Sequence, residues 1–127
     1  MKSEQQQIAI ATACGFTIKS IEYGPKGEIT RVWADTPDSW RGKDVRPWLP
    51  DFLNDFNAIR EAIASLKDKK ARWPTHSTDE PALHVFSWHL IDLLGLDEYE
   101  PDVIKLVLAD AEKLCEAFLK TLNLWVE

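Results

Sequence analysis

Hydrophobic residues recur along this chain with two different periods, and the periods divide it into elements. The clearest stripe is Phe52, Phe56, Ile59, Ile63 and Leu66, at i, i+4, i+7, i+11 and i+14, a spacing that lays one apolar face along a helix near 52–68. Asp51 precedes it as a candidate N-cap, Asp55 suits its positive start, and Lys67, Lys69 and Lys70 suit its negative end. A second helix is predicted over 82–94, with Leu83, Phe86, Leu90 and Leu93 or Leu94 inward, Pro81 at its first position and Gly95 ending it. A third stripe, Val103, Val107, Ala111, Leu114, Phe118 and Leu122, predicts one helix near 102–122. The alternative splits it into a strand over 103–109 and a shorter helix capped by Asp110. Asn123 fits a left-handed cap after which Leu124 and Trp125 fold back. The apolar segment Gln5 to Cys14 predicts a short first helix stopped by Gly15.

Between the first helix, 5–14, and the stripe that starts at Phe52 the period changes to two. Phe16 and Ile18 share one face, whereas Ile21 and Tyr23 fall on the other, which a bulge near Lys19 and Ser20 reconciles. Gly24-Pro25-Lys26-Gly27 is a turn signal, and Glu28 to Ala34 places Ile29 and Trp33 opposite Val32. Residues 16–34 therefore read as a β-hairpin. The expected fold is α+β and helix-dominated, the hairpin packed with about four helices in one domain spanning 1–127. That length fits one core, which typically holds about 100–200 residues. The predicted core is Phe56, Ile59, Ile63, Phe86, Leu90, Leu114 and Phe118.

Residues 35–51 follow neither period. They hold Pro37, Gly42, Pro47 and Pro50, with Trp40 and Trp48 among Arg41, Lys43, Asp44 and Arg46. A structureless segment of this length in a compact domain is uncommon and often functional. Two readings are open: the indoles fold back and cap the core, or Trp40, Arg41, Arg46 and Trp48 form a partner-binding surface, Trp and Arg being enriched at interface hot spots. Residues 71–80 form a polar connection.

Composition and charge narrow the function. The chain is 45% hydrophobic and carries 15 Lys plus Arg against 21 Asp plus Glu, a net charge of −6. An acidic surface argues against direct nucleic-acid binding, which needs a basic one. No apolar run approaches the roughly 18 residues of a membrane span, and the apolar stretch 8–13 is too short for a signal-peptide core. Cys14 and Cys115 cannot make a disulfide scaffold and fit a reducing cytoplasm.

The catalytic inventory is thin. His84 and His89 stand about 140° apart on a helix and cannot chelate one ion. His89 with Asp92 reads as a partly buried pair. There is no H-E-x-x-H, C-x-x-C, G-x-S-x-G or G-K-[ST] motif. Both thiols lie in apolar helical surroundings that keep them protonated. No catalytic residue, cofactor or metal ligand is assigned.

Three words of the sequence carry a resemblance: Ala13-Cys14-Gly15-Phe16, the run from Pro50 through Asn54-Asp55-Phe56-Asn57-Ala58 to Ala62, and Cys115-Glu116-Ala117-Phe118-Leu119 continuing to Trp125. In order and spacing the chain resembles a family of small uncharacterised phage and prophage proteins. Its members read A-C-G-W, then P-x-Y-x-N-D-L-N-A-M-H-E-A, then A-E-A-F-L-x-T-L-G-L-W, and some relatives are described as phage α-β-α sandwich domains. Phe16 stands where Trp is usual, Arg60 where His is usual and Asn123 where Gly is usual; residues 71–108 share no word. The resemblance implies viral or prophage origin and an α/β arrangement, and no reaction. Asn54, Asp55 and Asn57, its polar word, are expected to cap the helix and to tie it to the hairpin through a buried hydrogen-bond network.

The leading expectation is thus a non-catalytic phage or prophage accessory protein in the host cytoplasm that binds a host or viral protein, an inhibitor of a host defence system being one form. The alternative is a small metal- or nucleotide-dependent hydrolase using Asp51, Asp55, His84 or His89. A third class is a homo-oligomer built on exposed apolar patches.

Overall fold

The structure is a computed structural model and describes residues 1–37, 40, 49–95 and 109–126. Among these residues four helices and two antiparallel strand pairs make a helix-dominated α+β arrangement. In chain order they are α1 (Ser3–Ala13), β1 (Thr17–Tyr23), β2 (Ile29–Asp35), α2 (Phe56–Ala64), β3 (Lys70–Ala71), β4 (Glu80–Pro81), α3 (Ala82–Leu94) and α4 (Ala111–Thr121).

Helix α1 ends in a Schellman motif. Gly15, at φ 95°, donates its N–H to the Thr12 carbonyl at 3.1 Å, and Phe16 donates to the Ala11 carbonyl at 3.0 Å. A side chain is strained at that φ, so glycine supplies the reversal that sends the chain into β1. The hairpin has the expected bulge: pairing runs Ile18↔Ala34 and then Ser20↔Trp33, leaving Lys19 over. The turn closes through the Gly24 N–H on the Glu28 carbonyl at 2.7 Å. Phe16 and Ala34 enter the core, and Ile18 packs partly buried against it.

Helix α2 is shorter than its apolar stripe predicts. Asp51 is not the N-cap, because its carboxylate accepts from Gln7 Nε2 at 3.1 Å and from Asn54 Nδ2, while Gln7 Oε1 takes the Phe52 N–H at 2.9 Å. Residues 52–54 turn instead, and Asp55 caps the helix by accepting the Asn57 N–H at 2.9 Å. The polar word thus caps the helix through Asp55, but the tie from this helix entry is made by Asp51, to α1 rather than to the hairpin, and in exposed positions. The buried face comprises Ala58, Ile59, Ala62 and, just past the helix, Leu66. Phe56 and Ile63 lie about a quarter-turn to one side of that face. Phe56 is consequently 46% exposed and Ile63 only partly buried, against expectation.

Helix α3 has the predicted bounds, ending at Gly95 with φ 67°, but Pro81 is its N-cap, in extended backbone at the end of β4, rather than its first helical residue. Phe86 and Leu90 are buried as expected, but Leu83 is exposed. The single 102–122 helix is not formed: Ala109 and Asp110 are non-helical and α4 starts at Ala111, with the Asp110 carboxylate accepting the Lys113 N–H at 2.9 Å. Of the 103–109 strand alternative, residues 103–108 lie outside the described residues, and Ala109 is not in a strand. Asn123 takes φ 60° and closes a second Schellman motif, Leu124 donating to the Leu119 carbonyl at 2.8 Å.

Helix α4 is the centre of the core. Its Leu114, Cys115, Ala117, Phe118 and Leu119 are buried, and it packs most closely on α3 and also against α1 and α2. No helix of the described residues is long and apolar enough to cross a membrane.

Candidate functional site

Of the four residues assigned to a partner surface, Arg41, Arg46 and Trp48 lie outside the described residues. Trp40 is described, and it faces inward. Its ring meets Phe16 edge-on at 5.1 Å and Phe52 edge-on at 5.9 Å, and those two rings meet each other at 6.5 Å. The Trp40 backbone N–H donates to the Pro37 carbonyl at 3.0 Å. Edge-to-face packing of this kind contributes about 0.5–1.5 kcal/mol beyond the area buried. Trp40 is half-buried over the corner where α1, β1 and the α2 entry meet, the core-capping arrangement.

A second aromatic group, assembled from two segments, was not apparent in the sequence. The chain between β3 and β4 is drawn into a loop by the pairs Lys70↔Pro81 and Ala71↔Glu80 and by the Ala82 N–H on the Lys69 carbonyl at 2.9 Å. That loop lays Trp73 and His76 against the flank of α3. Trp73 stands 6.1 Å from Trp88 at 90° and 4.5 Å from His89 at 42°. His76 meets Trp88 at 5.4 Å, and His84, one turn before Trp88 on α3, lies 6.5 Å from it. All three histidines of the chain and two of its six tryptophans thus share one region. The spacing of four between His84 and Trp88 is a same-face helical signal. The other half arrives from a polar loop with no periodicity.

The group grades from wet to dry. His76 and His84 are exposed, Trp73 and Trp88 half-buried, and His89 buried. Burial pushes the His89 imidazole below its ordinary pKa, Lys120 on α4 pushes the same way, and Asp92 opposes them. Two ion pairs brace the loop: Arg72 Nε to Asp79 Oδ1 at 3.2 Å, and, when His76 is protonated, its Nδ1 to Glu80 Oε1 at 3.8 Å. Chemically the group offers flat indole area beside exposed imidazoles that donate or accept hydrogen bonds.

The residues of the hydrolase alternative are engaged elsewhere. Asp51 and Asp55 shape the α2 entry, His84 flanks Trp88, and His89 sits under Trp73. Among the described residues no group of three or more His, Cys, Asp or Glu is arranged to hold a metal ion. Both thiols sit in surroundings that raise their pKa. Cys115 donates to the Phe52 carbonyl at 3.3 Å, and burial, with Asp51 and Glu112 adding to it, pushes its pKa up to about 12. Burial likewise raises Cys14, against smaller lowering effects from Ser65 and Lys69. Comparison of the chain with models of protein families, with curated proteins and with solved structures gave no match.

Proposed function

We propose that this chain is a non-catalytic binding protein whose partner is another protein and whose contact face is built on Trp88. The observation that carries the reading is the placement of this indole: half-buried on the flank of α3 and edged by the exposed His76 and His84. A rigid indole on a well-packed support is the residue type that dominates binding energy at protein interfaces. A protein suits this acidic chain better than a nucleic acid does, since a net charge of −6 opposes a phosphate backbone. The resemblance of its three sequence words supports a phage or prophage accessory role, with a host or viral protein as partner and inhibition of a host defence system as the subtype that role suggests. Cytoplasmic action belongs to the same reading, both cysteines being free thiols.

The test is capture from host lysate by the immobilised chain, run beside Trp88→Ala and His84→Ala. A protein retained by the unsubstituted chain should be lost with Trp88→Ala, a weakening of about 30-fold or more, while the circular dichroism of the variant is unchanged. Equal retention by both folded variants would overturn the proposed face, and retention of nothing by the parent would count against the binding role.

A further inference from the structure

The loop 72–79 has an unusual construction. Every residue in it except Trp73 is exposed. Its base is closed by a ladder two residues long, and its inward attachment is aromatic: Trp73 against His89 and Trp88, and His76 against Trp88. Beneath Trp73, His89 is 8% exposed. A titratable ring therefore sits under the side chain that fastens an otherwise solvated loop.

We propose that residues 72–79 form an acid-released flap, latched by Trp73 on His89, and that protonation of His89 lifts Trp73 from α3. With the flap closed, an imidazolium at His89 has lost most of its water and faces Lys120 across the α3–α4 contact. Asp92 on its own helix and the π face of Trp73 favour the cation. Burial is the largest influence and acts against it. Opening the flap returns the ring to water, where its pKa recovers toward 6.5. Protons therefore bind the open form more tightly, and falling pH shifts the population toward it. The charged groups of the flap itself, His76 beside Glu80 and Arg72 beside Asp79, tie it along its own length and to its base. His89 is the trigger and His76 a restraint. The flap stands independently of the binding reading, and a chain that captured no partner would still show it.

The experiment is 19F NMR of the full chain carrying 5-fluorotryptophan, with the Trp73 and Trp40 resonances assigned through Trp73→Phe and Trp40→Phe. Exposure is read from the solvent isotope shift between pH 7.5 and 5. The expected result is a Trp73 signal that becomes solvent-exposed on acidification with a midpoint below 6.5, while the Trp40 signal stays unchanged. This transition should vanish in His89→Phe, or in His89→Gln if the first variant folds poorly, and should persist in His76→Gln. A Trp73 signal that stays buried throughout, one that still titrates without His89, or Trp40 and Trp73 moving together as in global unfolding would each overturn the proposal.

Discussion

At the scale of single residues, position decides whether the same chemistry is structural or available. His89 is the sharpest case. Its folded pKa lies below the value near 6.5 of an exposed histidine, so the unfolded chain binds its proton first. The stability that neutral His89 contributes is therefore complete above about pH 6.5 and is lost as pH falls through the folded pKa. Urea midpoints should decline between pH 7 and 5 more steeply for the parent than for His89→Gln; parallel curves would show that another group sets the acid limit. Cys115, at about 12, should resist alkylation in the folded chain and react only when denaturant exposes it. Phe118 is fully buried at the centre of α4. Phe118→Ala should cost about 3–5 kcal/mol, measured by equilibrium unfolding, a large share of a typical total of about 5–15.

At the scale of elements, how well the sequence foretold the structure depended on whether the boundary signal was local. Helix α3 was predictable to the residue because Pro81 and Gly95 enclose it, and Asn123 was readable as a left-handed cap because few other side chains tolerate that conformation. The bulge at Lys19 followed from a break in alternation. Helix α2 misled because Phe52 completes the apolar stripe from a turn, and because the competing partner of Asp51, Gln7, lies 44 residues away in sequence. The pair β3–β4 is two residues long and has no period to read. The cap assignment can be tested. Asp55→Ala should lose about 0.5–2 kcal/mol in unfolding experiments. Asp51→Ala, which removes bonds to exposed amides, should lose less, and the reverse order would place the helix start at Asp51 after all.

At the scale of the whole molecule, two groups of aromatic rings lie in different surroundings. Sequence alone directed attention to Trp40 in the irregular segment, because unexplained indoles are conspicuous there. The structure turns Trp40 inward onto Phe16 and Phe52 and leaves Trp88 half-buried on α3 between exposed imidazoles. That second group could not be read in advance, since Trp73 and His76 reach Trp88 only through the closure of a polar loop. The proposed binding face rests on this division, and unfolding of two variants side by side tests it without any partner in hand. Trp40→Ala should lower stability by about 2–4 kcal/mol, as removal of a core-packed ring does, whereas Trp88→Ala should cost about 1 kcal/mol or less. If Trp88→Ala is instead destabilised as much as Trp40→Ala, the α3 indole is committed to holding the fold together and is not available as a contact surface.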